Sequence, residues 1–413
     1  MRINSPLGQV LLVGFVCFAC PGMFNVINGM GAGGQMDDNT AKNGNVALYS
    51  CFAVFGCLGG GFYNILGGRL CLCLGGLTYA LYSGSLLYYN ETKKPAFVII
   101  ASAILGVGAG ILWTAQGVVM MSYPAEDQKG RCVGLFWILF NLGGVMGAFI
   151  PFGLNFHSDK GAVSNSTYLA FLVIMILGAL LGLILLPPGK VIRDDGSRVV
   201  VKKFTNIGAP TGSTPIQFGA VNGVLFNLRT RSLNNALYWG SQMLGAYGLG
   251  AFLDNPRFGR RARAVYGLAI VGAIFSATWA GGLALQLQYT REDHPSNIDF
   301  IDHPSEFWPK FILYIFYGMC DAMLQTYAYW VMGALSNDSS VLARYAGYYK
   351  GIQSAGAAIA WRIDAVGTAF LTQLIINWGL FTLSLPFTYF VAREVKETCN
   401  DGAEEKGEVA DKE

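Results

Sequence analysis

A short basic segment between two apolar stretches decides the fold: residues 250–261 read GAFLDNPRFGRR. A weaker copy in the first half of the chain, residues 60–69, reads GGFYNILGGR. Both copies begin with glycine, carry an acid or its amide four residues later (Asp254 and Asn64), and end in Gly-Arg. Each copy lies between the second and third apolar stretches of its half, so the chain is predicted to consist of two related halves.

The composition indicates a helical membrane protein with several crossings. Hydrophobic residues make up 53% of the 413 residues and charged residues 13%, whereas a soluble domain carries about 25% charged residues. The apolar residues occur in blocks of about 20, the length of a membrane-spanning helix. The first block, 7–30, is too long for the core of a signal peptide and is read as a retained helix.

Eleven clear spans are predicted around a polar connector. Residues 1–187 form a six-helix half, 188–213 a cytoplasmic connector, 214–393 a second half, and 394–413 a charged, disordered tail. The predicted spans are 7–30, 46–66, 70–89, 95–121, 132–154, 167–187, 235–253, 265–288, 308–334, 345–365 and 368–391.

Positive charges set the predicted orientation. Arg69, Lys129, Arg131 and the basic connector fall on one side, which the positive-inside rule makes cytoplasmic. The sequons at Asn90 and Asn165 fall in the loops predicted on the other side, as glycosylation requires. The chain is thus expected to be a multi-pass protein of the plasma membrane or of a vacuolar or endosomal membrane, two locations that the sequence does not distinguish.

With only five spans in the second half, the 257–263 arginines would face outward, against that rule. A sixth crossing between 188 and 235 removes the conflict, but its candidate, 215–228, has an apolar core of about a dozen residues, roughly 20 Å of helix. Its Asn222-Gly223 matches Asn28-Gly29 in the first helix. We therefore predict a truncated seventh helix, a stub left by a shortened isoform or a gene-model error. Both termini are cytoplasmic if that crossing forms.

These features resemble the major facilitator superfamily, in which two six-helix halves are joined by a cytoplasmic connector. Within it, KGRCVGLFW (129–137) and RTRSLNNALYW (229–239) are similar to fungal Unc-93-like proteins. The loop departs from the superfamily pattern in having two extra residues, Asn255-Pro256, and in Asn64 of the first copy. The resemblance implies a transporter-like protein but supplies no substrate, because some members are regarded as ion-channel regulators or trafficking factors.

The same resemblance implies that the repeated loop closes the cytoplasmic side and opens again during transport. The charge alone indicates only a signal that sets topology. The expected gating residues are Gly250, Asp254, Arg257, Gly259, Arg260, Arg261, Asn64 and Arg69.

The candidate central site is built around Asp321, near the middle of span 308–334. A carboxylate at the bilayer centre costs about 2.5–3.5 kcal/mol unless it faces protein or water. It is read as a coupling group or substrate contact, the alternative being a paired structural charge. Gln325 lies one turn further on. Lys350 is expected to reach back to the cytoplasmic surface. In the fold that the chain resembles, the first, fourth and fifth helices line the cavity, which implies that Asn25, Gln116 and Asn141 line it here. The alternative is that they serve as hydrogen-bond partners between helices.

No catalytic or metal-binding set emerges from the sequence. The histidines (His157, His294, His303) fall in predicted outer loops, and no phosphate-binding loop is present, so no enzyme, cofactor or nucleic-acid partner is expected. The primary hypothesis is secondary transport of a small solute or ion across the lipid bilayer by alternating access. The alternative is a non-transporting adaptor, channel regulator or trafficking factor with a membrane-protein partner.

Overall fold

The computed structural model describes Arg2 and residues 4–29, 36–154, 165–193, 199, 222, 225–290 and 298–398. In this part of the chain the secondary structure is almost entirely helical. The helices are α1 (Pro6–Cys17), α2 (Met23–Gly29), α3 (Asp38–Thr92), α4 (Ala96–Ser122), α5 (Lys129–Leu154), α6 (Asn165–Leu181), α7 (Leu228–Leu253), α8 (Arg260–Gln286), α9 (Pro304–Leu335), α10 (Ser339–Ala365) and α11 (Phe370–Arg393).

The first crossing is interrupted near its middle. A π-helical turn, Phe18–Gly22, joins α1 to α2 and contains Pro21. Proline has no backbone N–H and cannot complete the helical ladder, so the chain adopts the wider turn there. The start of α1 is capped by Ser5, whose hydroxyl accepts a hydrogen bond from the Gly8 amide at 3.1 Å.

The long helix α3 contains two predicted spans, 46–66 and 70–89. It is broken at Gly67, whose φ of 74° is accessible mainly to glycine. The two arms return to the same end of the molecule, because the Tyr89 hydroxyl near the end of α3 donates to Asp37 Oδ1 before its start, at 2.8 Å. Gly67 therefore separates two arms of α3 that contain the two predicted spans.

By length and hydropathy, seven helices in the described ranges could cross a membrane: the α1–α2 unit, α3, α4, α5, α6, α8 and α11. Helices α7, α9 and α10 contain the other predicted spans, 235–253, 308–334 and 345–365, but are more polar. Their polar residues include Gln242, Asp321 and Lys350, which are discussed below. The exact number of crossings stays a prediction.

Two hydrophobic clusters form the interior. One is built mainly from residues of α1 to α6, and it also contains Leu342, Ala346 and Tyr349 of α10. The other draws on α7, α8, α9 and α11. Helix α10 therefore packs into the cluster formed by the first part of the chain.

We call residues 1–187 and the residues from 214 onward the two parts of the chain. Helices of the two parts approach each other closely at glycine residues. A Cβ at Gly250 of α7 would lie 2.6 Å from the carbonyl oxygen of Gly130 at the start of α5. A Cβ at Gly56 of α3 would lie 2.9 Å from the backbone of Gly351 of α10. Glycine at these positions lets two pairs of helices, α5 with α7 and α3 with α10, meet backbone to backbone.

The predicted seventh crossing lies largely outside the described residues, as do His157, His294 and the tail from 399 onward. The described residues on either side of this crossing lie at opposite ends of the molecule. Arg193 donates to the carbonyl oxygens of Ser122 and Tyr123, at the end of the molecule where α5 begins. Asn227 begins α7 at the other end, where its amide nitrogen donates to the Ile298 carbonyl at 3.3 Å. The chain therefore changes ends between these residues.

Candidate functional site: a closed end and a polar centre

One end of the molecule is closed by contacts between its two parts. We call it the gate end: the 254–259 loop, the starts of α5 and α8, the end of α9, and residues 394–398. The end where α7 begins is the opposite end. The predicted gating loop lies at the gate end.

Asp254 caps a helix that lies 123 or more residues away along the chain. Its carboxylate accepts hydrogen bonds from the Gly130 amide at 2.8 Å and the Arg131 amide at 2.6 Å. These are unpaired N–H groups at the start of α5, where negative charge is stabilised. The indole N–H of Trp330 also donates to it at 3.3 Å. Burial raises the pKa of Asp254, although these hydrogen bonds oppose the shift.

Lys129 makes the reciprocal contact. Its buried ammonium group donates to the Gly333 carbonyl, to the Ser336 carbonyl at 3.5 Å and to Asn337 Oδ1 at 2.8 Å. These acceptors surround the C-terminal end of α9, where a positive charge is favourable. Asp254 of the second part thus caps a helix of the first part, and Lys129 of the first part caps a helix of the second part. Both contacts lie at the junction of the two parts.

The arginines of the loop behave differently from one another. Arg260 is buried, and its guanidinium lies 3.1 Å from Glu126 Oε2 in the first half of the chain. Its backbone amide donates to Glu397 at 2.8 Å, so the segment after α11 caps α8 next to Gly259. Arg257 and Arg261 are exposed. Asp254 and Arg260 therefore carry the contact between the two parts.

The first-half copy of the loop makes a contact of another kind. Asn64 is exposed. Arg69 donates from Nε to the Leu185 carbonyl, which ties α3 to the segment after α6. A Cβ on Gly60 would come within 3.1 Å of Arg344 in α10. Only the second copy provides a carboxylate that bridges the junction.

Lys350 lies in the polar centre and does not extend to the surface, so the expectation for this residue was wrong. Helix α10 begins at Ser339, which puts Lys350 about three turns inside the helix. Its ammonium group donates to Gln325 Oε1 at 2.8 Å and to Gln353 Oε1 at 2.9 Å. It also lies over aromatic rings, at 4.5 Å from that of Trp113, as cations favour.

Three predicted central residues meet around this lysine. Gln325 bonds Lys350 through its oxygen, and its nitrogen lies 3.5 Å from Asp321 Oδ1. Gln116 Oε1 accepts a hydrogen bond from the Tyr329 hydroxyl at 3.0 Å, and the Tyr329 ring in turn lies 5.7 Å from the Lys350 nitrogen. The network therefore joins α4, α9 and α10.

The other two predicted residues lie apart from the network. Asn25 is half-buried on α2 and takes no part in the hydrogen bonds described above. Asn141 is fully buried on α5. The antiparallel contacts of Gly134 with Ala246 and Gly144 with Trp239 place Asn141 opposite the 239–242 turn of α7.

Several buried polar atoms near the centre have no hydrogen-bond partner among the described residues: Gln116 Nε2, Trp137 Nε1 and both amide atoms of Asn141. Buried polar groups are nearly always paired in proteins. Aromatic rings surround this region, with Trp113 in contact with Phe136, Trp137 and Phe140. The centre therefore combines apolar walls with unused hydrogen-bonding capacity.

At the opposite end, Asp364 pairs with Lys42 of α3 at 3.6 Å and accepts a hydrogen bond from Gln373 at 3.3 Å. This contact also joins the two parts of the chain. The sequon residues Asn90 and Asn165 are hydrogen-bonded to each other at this end. No group of three or more potential metal ligands occurs within the described ranges.

Comparison with known proteins identifies the family. The chain is 47% identical to UNC93-like protein 1 of Arabidopsis thaliana over 430 residues, covering 97% of this chain and 94% of that protein. The chain belongs to the UNC93-like family. It is also 41% identical to an UNC93-like protein of Schizosaccharomyces pombe, over 93% of this chain and 82% of that protein. The family model for the ion channel regulatory protein UNC-93 matches residues 34–207.

Solved structures show the fold. The chain resembles the major facilitator superfamily transporter FucP in the outward conformation, with a TM-score of 0.59 and 12% identity, covering 94% of this chain and 99% of that one. It also resembles the proton:xylose symporter XylE, with a TM-score of 0.57 and 13% identity over 96% of each chain. The UNC93-like chain is thus a multi-pass membrane protein with the fold of these transporters.

The match to the Arabidopsis protein also bears on chain length. It spans 430 aligned positions, whereas 97% of 413 residues is about 400. About 30 aligned positions of the plant protein therefore have no counterpart in this chain. A membrane-spanning helix needs about 20 residues, so the difference is large enough to contain one.

Proposed function

We propose that this UNC93-like protein is a secondary transporter that moves a small solute or ion by alternating access, and that the described state is closed on the cytoplasmic side. The observation that carries the proposal is the paired capping at the gate end. Asp254 and Lys129 each bind the end of a helix in the other part of the molecule. Such contacts can form or break as a unit when two rigid bodies rock against each other.

Assignment of the gate end to the cytoplasm follows from its charge. Lys129, Arg131 and the 257–263 arginines lie there, as the positive-inside rule favours for the cytoplasmic face. Residues 4–5 and 394–398 lie at the same end, which supports cytoplasmic termini. The sequon asparagines Asn90 and Asn165 then face outward, where glycosylation takes place.

A shortened seventh crossing is part of this proposal. It is supported by the change of ends between Arg193 and Asn227, and by the aligned positions of the Arabidopsis protein that this chain lacks. The transcript covering residues 199–225 tests it. A longer form with about 20 additional apolar residues is expected, and a transcript without any such form would contradict the proposal.

The gate is tested by distance measurements that need no substrate. Spin labels at Asp127 and Arg257, both exposed at the gate end, report the separation of the two parts in the purified full chain. We expect the wild type to be mainly closed and Asp254→Ala to populate a longer distance, because the Gly130 and Arg131 amides lose their acceptor. Asp302→Ala, exposed at the opposite end, is the control. A single closed distance in both wild type and Asp254→Ala would exclude alternating access through this gate.

The second candidate is a non-transporting regulator of an ion channel or another membrane protein. The description of the family model favours it, and Asp321 is the only acid of span 308–334. It predicts a stable membrane-protein partner in purification and no opening of the gate in the isolated protein. Gate opening in reconstituted vesicles without any partner would contradict it.

A further inference from the structure

We infer that the transported solute is a small organic monocarboxylate whose carboxylate binds beside Lys350 while Asp321 takes up one proton. This inference rests on the proposed transport function. It goes beyond that function by naming the chemical class of the substrate and the group that carries the proton.

Lys350 lies in a buried environment without an anion in contact. The residue is 5% exposed, and its ammonium group is held by two neutral amide oxygens and by aromatic rings. Within the described part of the chain, Lys350 forms no ion pair with a carboxylate. A buried charge without an opposite charge in contact is costly. Asp321 acts on Lys350 only across Gln325, so a bound anion would supply a countercharge in direct contact.

The same region has a surplus of hydrogen-bond donors. Gln116 Nε2, Trp137 Nε1 and Asn141 Nδ2 are buried donors without partners among the described residues, whereas Asn141 Oδ1 is the corresponding acceptor. Gln116 lies one turn from Trp113, the ring beneath the Lys350 ammonium. A ligand rich in acceptor oxygens would satisfy these donors, which are costly to leave unpaired.

The residues beside Lys350 also indicate the body of the ligand. Five aromatic side chains contact one another between α4, α5 and α7: Trp113, Phe136, Trp137, Phe140 and Trp239. An aromatic surface of this kind suits an apolar or aromatic body with a few polar groups that fix its orientation. A strongly hydrated inorganic anion gains little from it. The combination of a cation, donors and rings therefore fits an organic carboxylate best.

Charge balance assigns the proton. Lys350 and Asp321 provide one positive and one negative charge, with Gln325 between them. A bound carboxylate adds a negative charge, and protonation of Asp321 restores neutrality. Among the described residues, the ionisable groups that interact electrostatically with Asp321 or Lys350 include Tyr49, Tyr238, Tyr349, Cys320 and Cys17.

Phenols and thiols are ordinarily uncharged at neutral pH, so among these groups Asp321 is the carboxylate that can accept the proton. The proton enters from the outer aqueous phase with the carboxylate. Both leave on the cytoplasmic side, and the protein returns with Asp321 ionised.

Benzoate serves as the probe in a titration of the purified full chain in detergent. Tryptophan fluorescence reports binding, because Trp113 and Trp137 line the site, and a pH indicator in weak buffer reports proton uptake. We expect saturable binding of benzoate with uptake of about one proton per site at pH 7. Benzamide, which lacks the charge, and inorganic phosphate, which lacks the apolar body, are expected to bind at least tenfold more weakly.

Variants separate the two roles. Lys350→Gln is expected to weaken benzoate binding at least tenfold and Lys350→Arg to retain most of it. Lys310→Gln, at a half-buried lysine nearer the opposite end of α9, serves as the matched control. Asp321→Asn is expected to bind benzoate without taking up a proton. The melting temperature of each variant checks its folding, and the Lys350→Arg result keeps the test valid if Lys350→Gln does not fold.

Three outcomes would overturn the inference: equal binding of benzamide and benzoate, tighter binding of phenylalanine without proton uptake, or no binding of benzoate, hexanoate or pyruvate. The first would indicate a neutral ligand and the second a zwitterion. None of them alters the gate distances, so failure of this inference is distinguishable from failure of alternating access.

Discussion

The gate end and the polar centre both hold buried charges, but they neutralise them in different ways. At the gate, Asp254 and Lys129 bind main-chain groups at helix ends. At the centre, Lys350 binds the side-chain oxygens of Gln325 and Gln353. Main-chain groups are fixed to rigid helices, whereas side-chain amides can rotate. The gate is therefore suited to switching as a unit, and the centre is suited to exchanging partners.

The largest effect on gate closure is expected where the backbones of α5 and α7 approach each other most closely. Gly250→Ala places a Cβ 2.6 Å from the Gly130 carbonyl oxygen, and overpacking of this kind costs about 3 kcal/mol. The closed state should lose about two orders of magnitude in population relative to the open state. The distance between spin labels at Asp127 and Arg257 measures this change in population.

Gly248→Ala is the control for that substitution. It lies on the same helix, and a Cβ there meets no atom within 4 Å. Equal gate distances for the two variants would show that close approach of α5 and α7 does not govern closure.

The next effect should come from Lys129. Lys129→Met leaves the Gly333 carbonyl and Asn337 without their charged donor, a loss of about 2 kcal/mol in the closed state. Lys129→Arg keeps the charge and should lose less. If both variants open the gate equally, the shape of the side chain matters more than its charge.

A smaller effect concerns pH. Burial raises the pKa of Asp254 in the closed state, whereas an open gate exposes this carboxyl and returns its pKa towards the usual value near 4. A group with a raised pKa favours the closed state at low pH, and this advantage is lost as the pH rises through the raised pKa. The closed fraction of the wild type should therefore increase on acidification from neutral pH. Asp254→Asn should abolish the part of this dependence that Asp254 carries, and an unchanged profile in that variant would assign the dependence to another group.

The smallest effect is expected at the opposite end. The Lys42–Asp364 pair, at 3.6 Å, keeps only 16% and 12% of its side-chain exposure, but Asp364 also keeps its hydrogen bond from Gln373, so Lys42→Met should cost about 1 kcal/mol. Spin labels at that end should report little change. A large opening there would mean that the pair acts as a second gate.

The sequence predicted the elements that hydropathy and repetition mark. The two spans in α3, the two-copy loop and Asp321 were all visible as patterns. The burial of Lys350 was not, because hydropathy places the start of that span at 345, whereas α10 begins at Ser339. The first turns of α10, from Ser339 to residue 344, are too polar to be included in a hydropathy span, so the sequence places Lys350 too near the end of the helix.

The partners of the gate were also beyond sequence reasoning. Asp254 was predicted from the repeat, but Gly130 and Arg131 contribute only backbone amides. Any residue except proline offers such a group. Their role depends on the position of the start of α5, which only the packing of α5 against α7 determines.

The use of main-chain partners by Asp254 has a consequence for how this family can diverge. No side chain on the start of α5 has to match that carboxylate, so a change of Asp254 cannot be rescued by a compensating change across the junction. Position 254 and positions 130–131 should therefore show no correlated substitutions among relatives. A search for co-evolving pairs would overlook this contact, although it joins the two parts of the molecule directly.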